Sequence, residues 1–172
     1  MTPNYLRGRT HHLLRQCVFP CLCNQLGAEV TVITGFRKEN PNESIITAHQ
    51  APVLIGSLYG FDNKAVEPLA EAIEGSGIPA QTDEEISKAL WAKLIYNTTL
   101  NPLGAILGMS YGELADSEYA HSIMDILIEE TFEIMNGAGG KTYWSDADEY
   151  RTALFEDMIP VTYEHRSSTL QD

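Results

Sequence analysis

Trp91-Ala-Lys93-Leu-Ile-Tyr-Asn97-Thr-Thr-Leu-Asn101-Pro102 is the stretch on which the reading of this chain turns. Each residue of an α-helix advances about 100° around the axis, so residues four apart drift only slowly. Lys93, Asn97 and Asn101 therefore share a sector roughly 80° wide. Leu90 and Ile86 fall in the same sector one and two turns earlier. A face that begins apolar thus continues as Lys, Asn, Asn. If Ile86 and Leu90 point inward, so do the three polar groups. Buried polar groups need partners, because each one left unpaired costs about 1–3 kcal/mol and a charge costs more. Two sources of partners are open. The protein supplies them, with the amides bonded to a loop and Lys93 reaching out to solvent, or a ligand does.

The flanking sequence sets the frame for that helix. Thr82-Asp-Glu-Glu85 reads as a capping box that opens it, and Pro102 predicts an end near Leu100. Upstream, Ala28-Glu-Val-Thr-Val-Ile-Thr34, Glu43-Ser-Ile-Ile-Thr-Ala-His-Gln50 and Ala51-Pro-Val-Leu-Ile-Gly-Ser-Leu58 read as strands of a small, partly antiparallel sheet. Asn40-Pro41-Asn42 is a turn signal between the first two. Lys64 to Glu74 carries Val66, Leu69, Ala70 and Ile73 at helical spacing, and Gly75-Ser-Gly77 closes it. Ile78-Pro-Ala is a short extended piece.

Downstream, a helix is expected from Asp116 or Ser117 through Met135. One apolar stripe holds Ile123, Leu127 and Ile134, with Met124, Ile128 and Met135 beside it, and Asn136-Gly137 is the stop. Ser145 is expected to cap a further helix carrying Tyr150, Leu154, Met158 and Ile159, closed by Pro160. His165-Arg-Ser-Ser-Thr-Leu-Gln-Asp172 begins like another helix. The fold class is therefore α+β, with a small sheet followed by a mainly helical region.

Composition narrows the function classes. Of 172 residues, 44% are hydrophobic and 20% charged, which suits a globular protein. No apolar run approaches the roughly 18 residues a membrane helix needs, and the N-terminus lacks a signal-peptide cleavage site. No membrane role and a cytoplasmic location are expected. A formal net charge of −13 disfavours a nucleic-acid partner through like-charge repulsion. Cys17, Cys21 and Cys23 lie near His11 and His12, but the spacing C-x-x-x-C-x-C matches no usual zinc pattern, so no metal is expected. The residues before Gly27 are otherwise hard to read; Leu13, Leu14, Val18 and Leu22 would line a short helix that Pro20 interrupts.

The segment from Trp91 through Pro102 and on to Leu103-Gly-Ala-Ile106 resembles the signature helix of ketopantoate reductases, W-x-K-L-x-x-N-x-x-x-N-P-L. Ser167-Ser168-Thr-Leu-Gln-Asp172 resembles the family's S-S-M-L-Q-D, with Thr169 in place of Met. Gly112-Glu113-Leu114 and Val53-Leu-Ile-Gly56 also fit, so the resemblance covers about Val30 to Asp172. It implies NADPH-dependent reduction of 2-dehydropantoate to pantoate. It makes Lys93 the general acid, gives Asn97, Asn101 and Ser168 contacts to the substrate, and names a small-molecule 2-keto acid as partner. It also divides the chain into residues 1–81, part of a nucleotide-binding domain, and residues 82–172, a helical substrate and dimerisation domain. A homo-oligomer is expected.

Two departures accompany the resemblance. The family's opening strand and G-x-G-x-x-G turn, which seats a pyrophosphate at a helix N-terminus, has no counterpart here. Asn136-Gly-Ala-Gly-Gly140 follows a predicted helix and reads as a C-cap. The family's glutamate beyond the S-S-x-L-Q-D motif lies past Asp172, so truncation is expected at that end. The alternative is a non-catalytic helical binding or dimerisation module derived from the same family. A related reductase acting on another 2-keto acid also stays open, because fold does not fix substrate.

Overall fold

The computed structural model describes residues 28–32, 34–40, 43–49, 52–60 and 62–171. The cysteines, His11, His12 and the Leu13–Leu22 segment lie outside the described residues, as does the turn at Pro41-Asn42.

Five strands are present: β1 (Ala28–Thr31), β2 (Thr34–Asn40), β3 (Glu43–His49), β4 (Val53–Ser57) and β5 (Ala80–Thr82). They form two sheets. In the first, β4 is central, antiparallel to β1 with Val30 opposite Ile55, and parallel to β5 with Leu54 opposite Gln81. The second is the antiparallel pair β2–β3. The stretch from Ala28 that reads as one strand to Thr34 is thus broken. It stops at Thr31, and Thr34 opens a hairpin arm that the β-branched run did not signal.

Between β4 and β5 lies α1 (Glu67–Gly75), preceded by a 3-10 turn at Asn63–Ala65 and stopped by Gly77 at φ 91°. Val66, its N-cap, and Ala70 pack with Ala28, Val53, Ile55 and Ala80 into a small apolar cluster. The rest of the chain is helical: α2 (Ile86–Leu107), α3 (Tyr111–Asp116), α4 (Glu118–Gly137), α5 (Ala147–Ala153), a π-turn over Leu154–Met158, α6 (Ile159–Val161) and α7 (Ser168–Gln171). The α+β expectation holds.

Helix α2 joins the two layers. Ile86, Ala89 and Leu90 in its first turns pack with Leu54 of β4. Trp91, Ile95, Leu100 and Leu103 enter the main core with Met124, Ile128, Phe132 and Met135 of α4 and Tyr150, Leu154 and Ile159 beyond it. Gly56 makes the sheet contact possible. A Cβ there would overlap the Asp83 carbonyl oxygen and lie 2.7 Å from the Ile86 Cβ.

Both ends of α2 differ from the sequence reading. Thr82 belongs to β5, and the helix starts at Ile86 with Glu85 as an N-cap that makes no side-chain bond. Asp83 does the local work, its Oδ1 accepting from the Glu85 amide at 2.7 Å. At the other end the helix runs through Pro102 and stops at Gly108, which has φ 65° and donates its amide to the Gly104 carbonyl. An interior proline costs about 3 kcal/mol or more through its lost N–H and ring clash. Here Leu100 and Leu103 are buried on either side while Pro102 itself is exposed. Packing on both flanks holds the helix through the fault.

The other stops shift in the same way. Helix α4 is capped by Ser117, whose hydroxyl accepts from the Ala120 amide, and ends two residues beyond the Met135 expectation. Its left-handed stop is Gly139, at φ 71°, not Gly137. Asp146, one residue past Ser145, caps α5 by accepting from the Glu149 amide at 2.9 Å. Pro160 sits inside α6, after a π-turn in which the Ile159 amide reaches back five residues to the Leu154 carbonyl. Arg151 ties α5 to α4, its Nε and Nη2 each 2.8 Å from Asp125 and Glu129.

Tyr150 stands out in the core. Its side chain is fully buried, with its ring edge-on to Trp144 at 4.8 Å, yet its hydroxyl has no hydrogen-bond partner among the described residues. Burial pushes that hydroxyl above its ordinary pKa, and nearby Tyr96 adds to the shift. An unsatisfied buried hydroxyl costs about 1–3 kcal/mol. Tyr150→Phe is therefore expected to stabilise the fold, raising the thermal midpoint by about 2–4 °C for each kcal/mol recovered. A lowered midpoint would show that the hydroxyl has a partner after all.

Candidate active site

The sector of α2 that carries Ile86 and Leu90 is buried, at 0% and 4% exposure, and its continuation through Lys93, Asn97 and Asn101 is half-buried. The helix is unbroken from Ile86 to Leu107, so the three polar side chains do share one face. That face changes from core to partly open wall as it leaves the sheet.

Lys93 is held from the far side of the sequence. Its Nζ donates to the Val32 carbonyl at 2.8 Å, just past the end of β1. The ammonium is thereby set between the sheet and α2 and not released along the helix surface. Asn97 makes no side-chain hydrogen bond among the described residues. Asn101 accepts at Oδ1 from the Tyr111 hydroxyl at 2.7 Å. Among the described residues, then, neither amide is fully supplied, and the loop-bonded alternative accounts for one contact of one residue.

Tyr111 is the first residue of α3 and is 7% exposed. A complete capping box precedes it. Ser110 Oγ accepts from the Glu113 amide, and Glu113 Oε2 accepts from the Ser110 amide at 2.6 Å. Bonds from Ser110, the backbone one foremost, hold the Glu113 carboxyl below its usual pKa range. The Tyr111 amide donates to the His165 carbonyl at 2.9 Å, and its ring meets Tyr96 edge-on at 5.8 Å. The resemblance at Gly112-Glu113-Leu114 thus has a local physical content: Glu113 caps, Leu114 is fully buried, and a Cβ at Gly112 would overlap the Tyr163 ring.

The Ser167-Ser168 segment packs against α2 through α7. Ser167 is fully buried near Gly104, where an added Cβ would stand 3.5 Å from its own Cβ. Its hydroxyl accepts from the Thr169 amide at 3.1 Å, a local turn-capping role. Ser168 opens α7 with an exposed side chain whose hydroxyl makes no hydrogen bond among the described residues. The structure therefore brings the helix carrying Lys93, Asn97 and Asn101 together with the segment carrying Ser168. Sequence reasoning missed Val32 and Tyr111. The Ser110-x-x-Glu113 pattern was a signal for α3 and hence for Tyr111.

The glycine cluster at 137–140 cannot cradle a dinucleotide. Gly139 takes the left-handed stop, and the Gly140 amide donates to the Met135 carbonyl at 2.8 Å. A Cβ at Gly140 would overlap the Trp91 indole nitrogen, so this glycine serves helix packing. Among the described residues no other glycine-rich turn joins a strand to a helix, and a nicotinamide dinucleotide has no fitting pyrophosphate seat there. Also among the described residues, no helix is long and apolar enough to cross a membrane.

Comparison with known proteins agrees with the motif reading. The family described as ketopantoate reductase PanE/ApbA C terminal matches residues 85–172, just over half of the chain. The 2-dehydropantoate 2-reductase of Aquifex aeolicus (strain VF5) is 35% identical over 142 residues, which cover 82% of this chain and 46% of that protein. Among solved structures, the PanE/ApbA family ketopantoate reductase from Ralstonia eutropha JMP134 superposes with a TM-score of 0.63 at 28% identity, covering 84% of this chain and 45% of that one. A D-mandelate dehydrogenase solved with NADH and anilino(oxo)acetate shares the fold, with a TM-score of 0.65 at 21% identity over 81% of this chain and 44% of that one. The chain belongs to the ketopantoate reductase family. It spans about half the length of the curated relatives it matches.

Proposed function

We propose that this chain carries the substrate side of an NADPH-dependent 2-dehydropantoate 2-reductase, with a 2-keto acid as substrate and the corresponding 2-hydroxy acid as product. The observation that carries the reading is the half-buried Lys93, Asn97, Asn101 face of α2, with Lys93 tethered at its Nζ to Val32. Reduction of a ketone leaves negative charge on the former carbonyl oxygen. An ammonium fixed beside that oxygen stabilises the charge and supplies the proton. Asn97 and Asn101 suit the hydroxyl, carbonyl and carboxylate oxygens of such a substrate, because neutral amides orient it without adding a competing charge. Ser168, exposed at the start of α7, would close over the substrate from the adjoining segment. The described residues offer the dinucleotide no pyrophosphate seat, so none of them is assigned that contact.

Turnover tests the proposal. The full-length protein, given NADPH and 2-dehydropantoate, should consume NADPH stoichiometrically with pantoate formed. No consumption with this or any other 2-keto acid would end the reading.

Association in solution is a second reading favoured by one observation. Ile123 and Ile134, one apolar stripe of the sequence, are 44% and 61% exposed on α4, and Ile126 beside them is 57% exposed. A monomer that leaves such a face in water is poorly served. Sedimentation should find a homo-oligomer that Ile126→Glu with Ile134→Glu weakens. A monomer at every accessible concentration would remove this reading.

A further inference from the structure

Asn101 has a carboxamide with one accepting and one donating end, and its usefulness to a ligand depends on which end is presented. The contact with Tyr111 decides this. The 2.7 Å separation between the Tyr111 hydroxyl and the Asn101 side chain matches the usual O–H···O distance of about 2.7–2.8 Å and is short for N–H···O, whose mode is about 2.9–3.0 Å. The oxygen of the carboxamide therefore faces the tyrosine. The opposite orientation would also strand the phenolic proton in a nearly closed environment. Among the described residues, the Asn101 amide NH2 then has no partner.

We propose that Tyr111 is a positioning residue that locks the Asn101 carboxamide with its oxygen turned inward, so that its NH2 is reserved for an oxygen acceptor on the substrate. The inference rests on the reading of the site as a 2-keto acid site and names the acceptor class it selects: carbonyl or carboxylate oxygen, not a hydroxyl acting as donor. Three features make the lock stiff. The Ser110–Glu113 capping box fixes the first turn of α3, on which Tyr111 sits. The Tyr111 amide is tied to the His165 carbonyl. The Tyr96 ring stands edge-on at 5.8 Å, with its own hydroxyl 3.2 Å from Thr162 Oγ1, so the tyrosine ring cannot swing freely. Burial also pushes the Tyr111 hydroxyl above its ordinary pKa, which keeps it a proton donor across the whole working range.

The test is Tyr111→Phe in the full-length protein, which keeps the ring and removes only the hydroxyl. With the lock gone the carboxamide populates both orientations, and the KM for the 2-keto acid should rise by about two- to tenfold, the worth of one hydrogen bond, with kcat nearly unchanged. In an Asn101→Ala background the same substitution should change nothing more. Asn101→Asp, which keeps an acceptor for Tyr111 but presents a second oxygen to the substrate, should raise KM further than Tyr111→Phe does. A spectroscopic readout stands apart from turnover. The Asn101 side-chain amide resonances, assigned by their loss in Asn101→Ala, should shift in Tyr111→Phe. An unchanged amide spectrum, or a KM effect that adds fully to that of Asn101→Ala, would overturn the lock. If the unsubstituted protein shows no turnover, the proposed reductase activity fails, and the amide spectrum alone decides the positioning.

Discussion

Lys93→Ala in the full-length protein should lower kcat by about 10²–10⁴-fold, the usual contribution of a positioned general acid. The KM for the 2-keto acid should move far less, because the ammonium acts most strongly on charge that develops during reduction and is weaker in the ground state. The side chain is half-buried and its tip lies against the Val32 carbonyl, so the substitution also frees a main-chain acceptor. A modest loss of thermal stability should accompany the kinetic defect. Lys93→Met separates the two effects by keeping the aliphatic stem in place. It should restore the packing share of the stability, though not the bond to the Val32 carbonyl, and none of the rate. Activity within a few-fold of the unsubstituted protein in both variants would remove Lys93 from the proposed mechanism.

Gly56→Ala should be the most damaging glycine-to-alanine change among the described residues. The added carbon would overlap the Asp83 carbonyl oxygen and crowd the Ile86 Cβ. Neither neighbour can yield cheaply. The Asp83 amide is bonded to the Ile55 carbonyl at 2.9 Å, and Ile86 is fully buried. Overpacking of a core position costs about 1–3 kcal/mol and occasionally more, and overlap with a backbone atom, which cannot rotate away, belongs at the upper end of that range. The thermal midpoint should fall by about 2–4 °C per kcal/mol in a chain of this size. Gly75→Ala is the control. It ends α1 with open space where its Cβ would go, so it should be neutral or slightly stabilising. Equal midpoints for the two variants would show that β4 and the start of α2 do not approach so closely.

How much of this was readable in advance depends on the range of the interaction. The α+β class, α1, α4 and the polar face of α2 follow from periodicity within a few turns, and they appear as read. The stops fared worse. Pro102 looks like a terminator, yet it lies inside α2, because burial of Leu100 and Leu103 outweighs the local penalty. Pro160 stands in the first turn of α6, where a proline is tolerated, and the helix ends one residue later. Thr82 has the right spacing for a capping box, but parallel pairing of Ala80–Thr82 with Val53–Ile55 claims it for β5. The family motif located Lys93, Asn97 and Asn101 without saying what holds them. Val32 stands 61 residues from Lys93, and no pattern along the chain connects the two. Tyr111 is only ten residues from Asn101, but the left-handed turn at Gly108 lies between, and it is that reversal which brings the hydroxyl back to the amide.

Helix α2 is a single rod of 22 residues, about 33 Å long at 1.5 Å per residue. Its first turns complete the apolar cluster against β4, and its later turns complete the core against α4. Both clusters therefore draw on one element for their cooperativity. Loss of the sheet contact bares the front of the rod, and loss of α4 bares its rear, so damage to either layer is felt by the other through the same backbone. Lys93 sits between the two contacts. Its alignment with Val32 thus reports on the cohesion of both layers, and a substitution far from Lys93 that loosens either one should blunt the proton delivery proposed for it before it unfolds the chain.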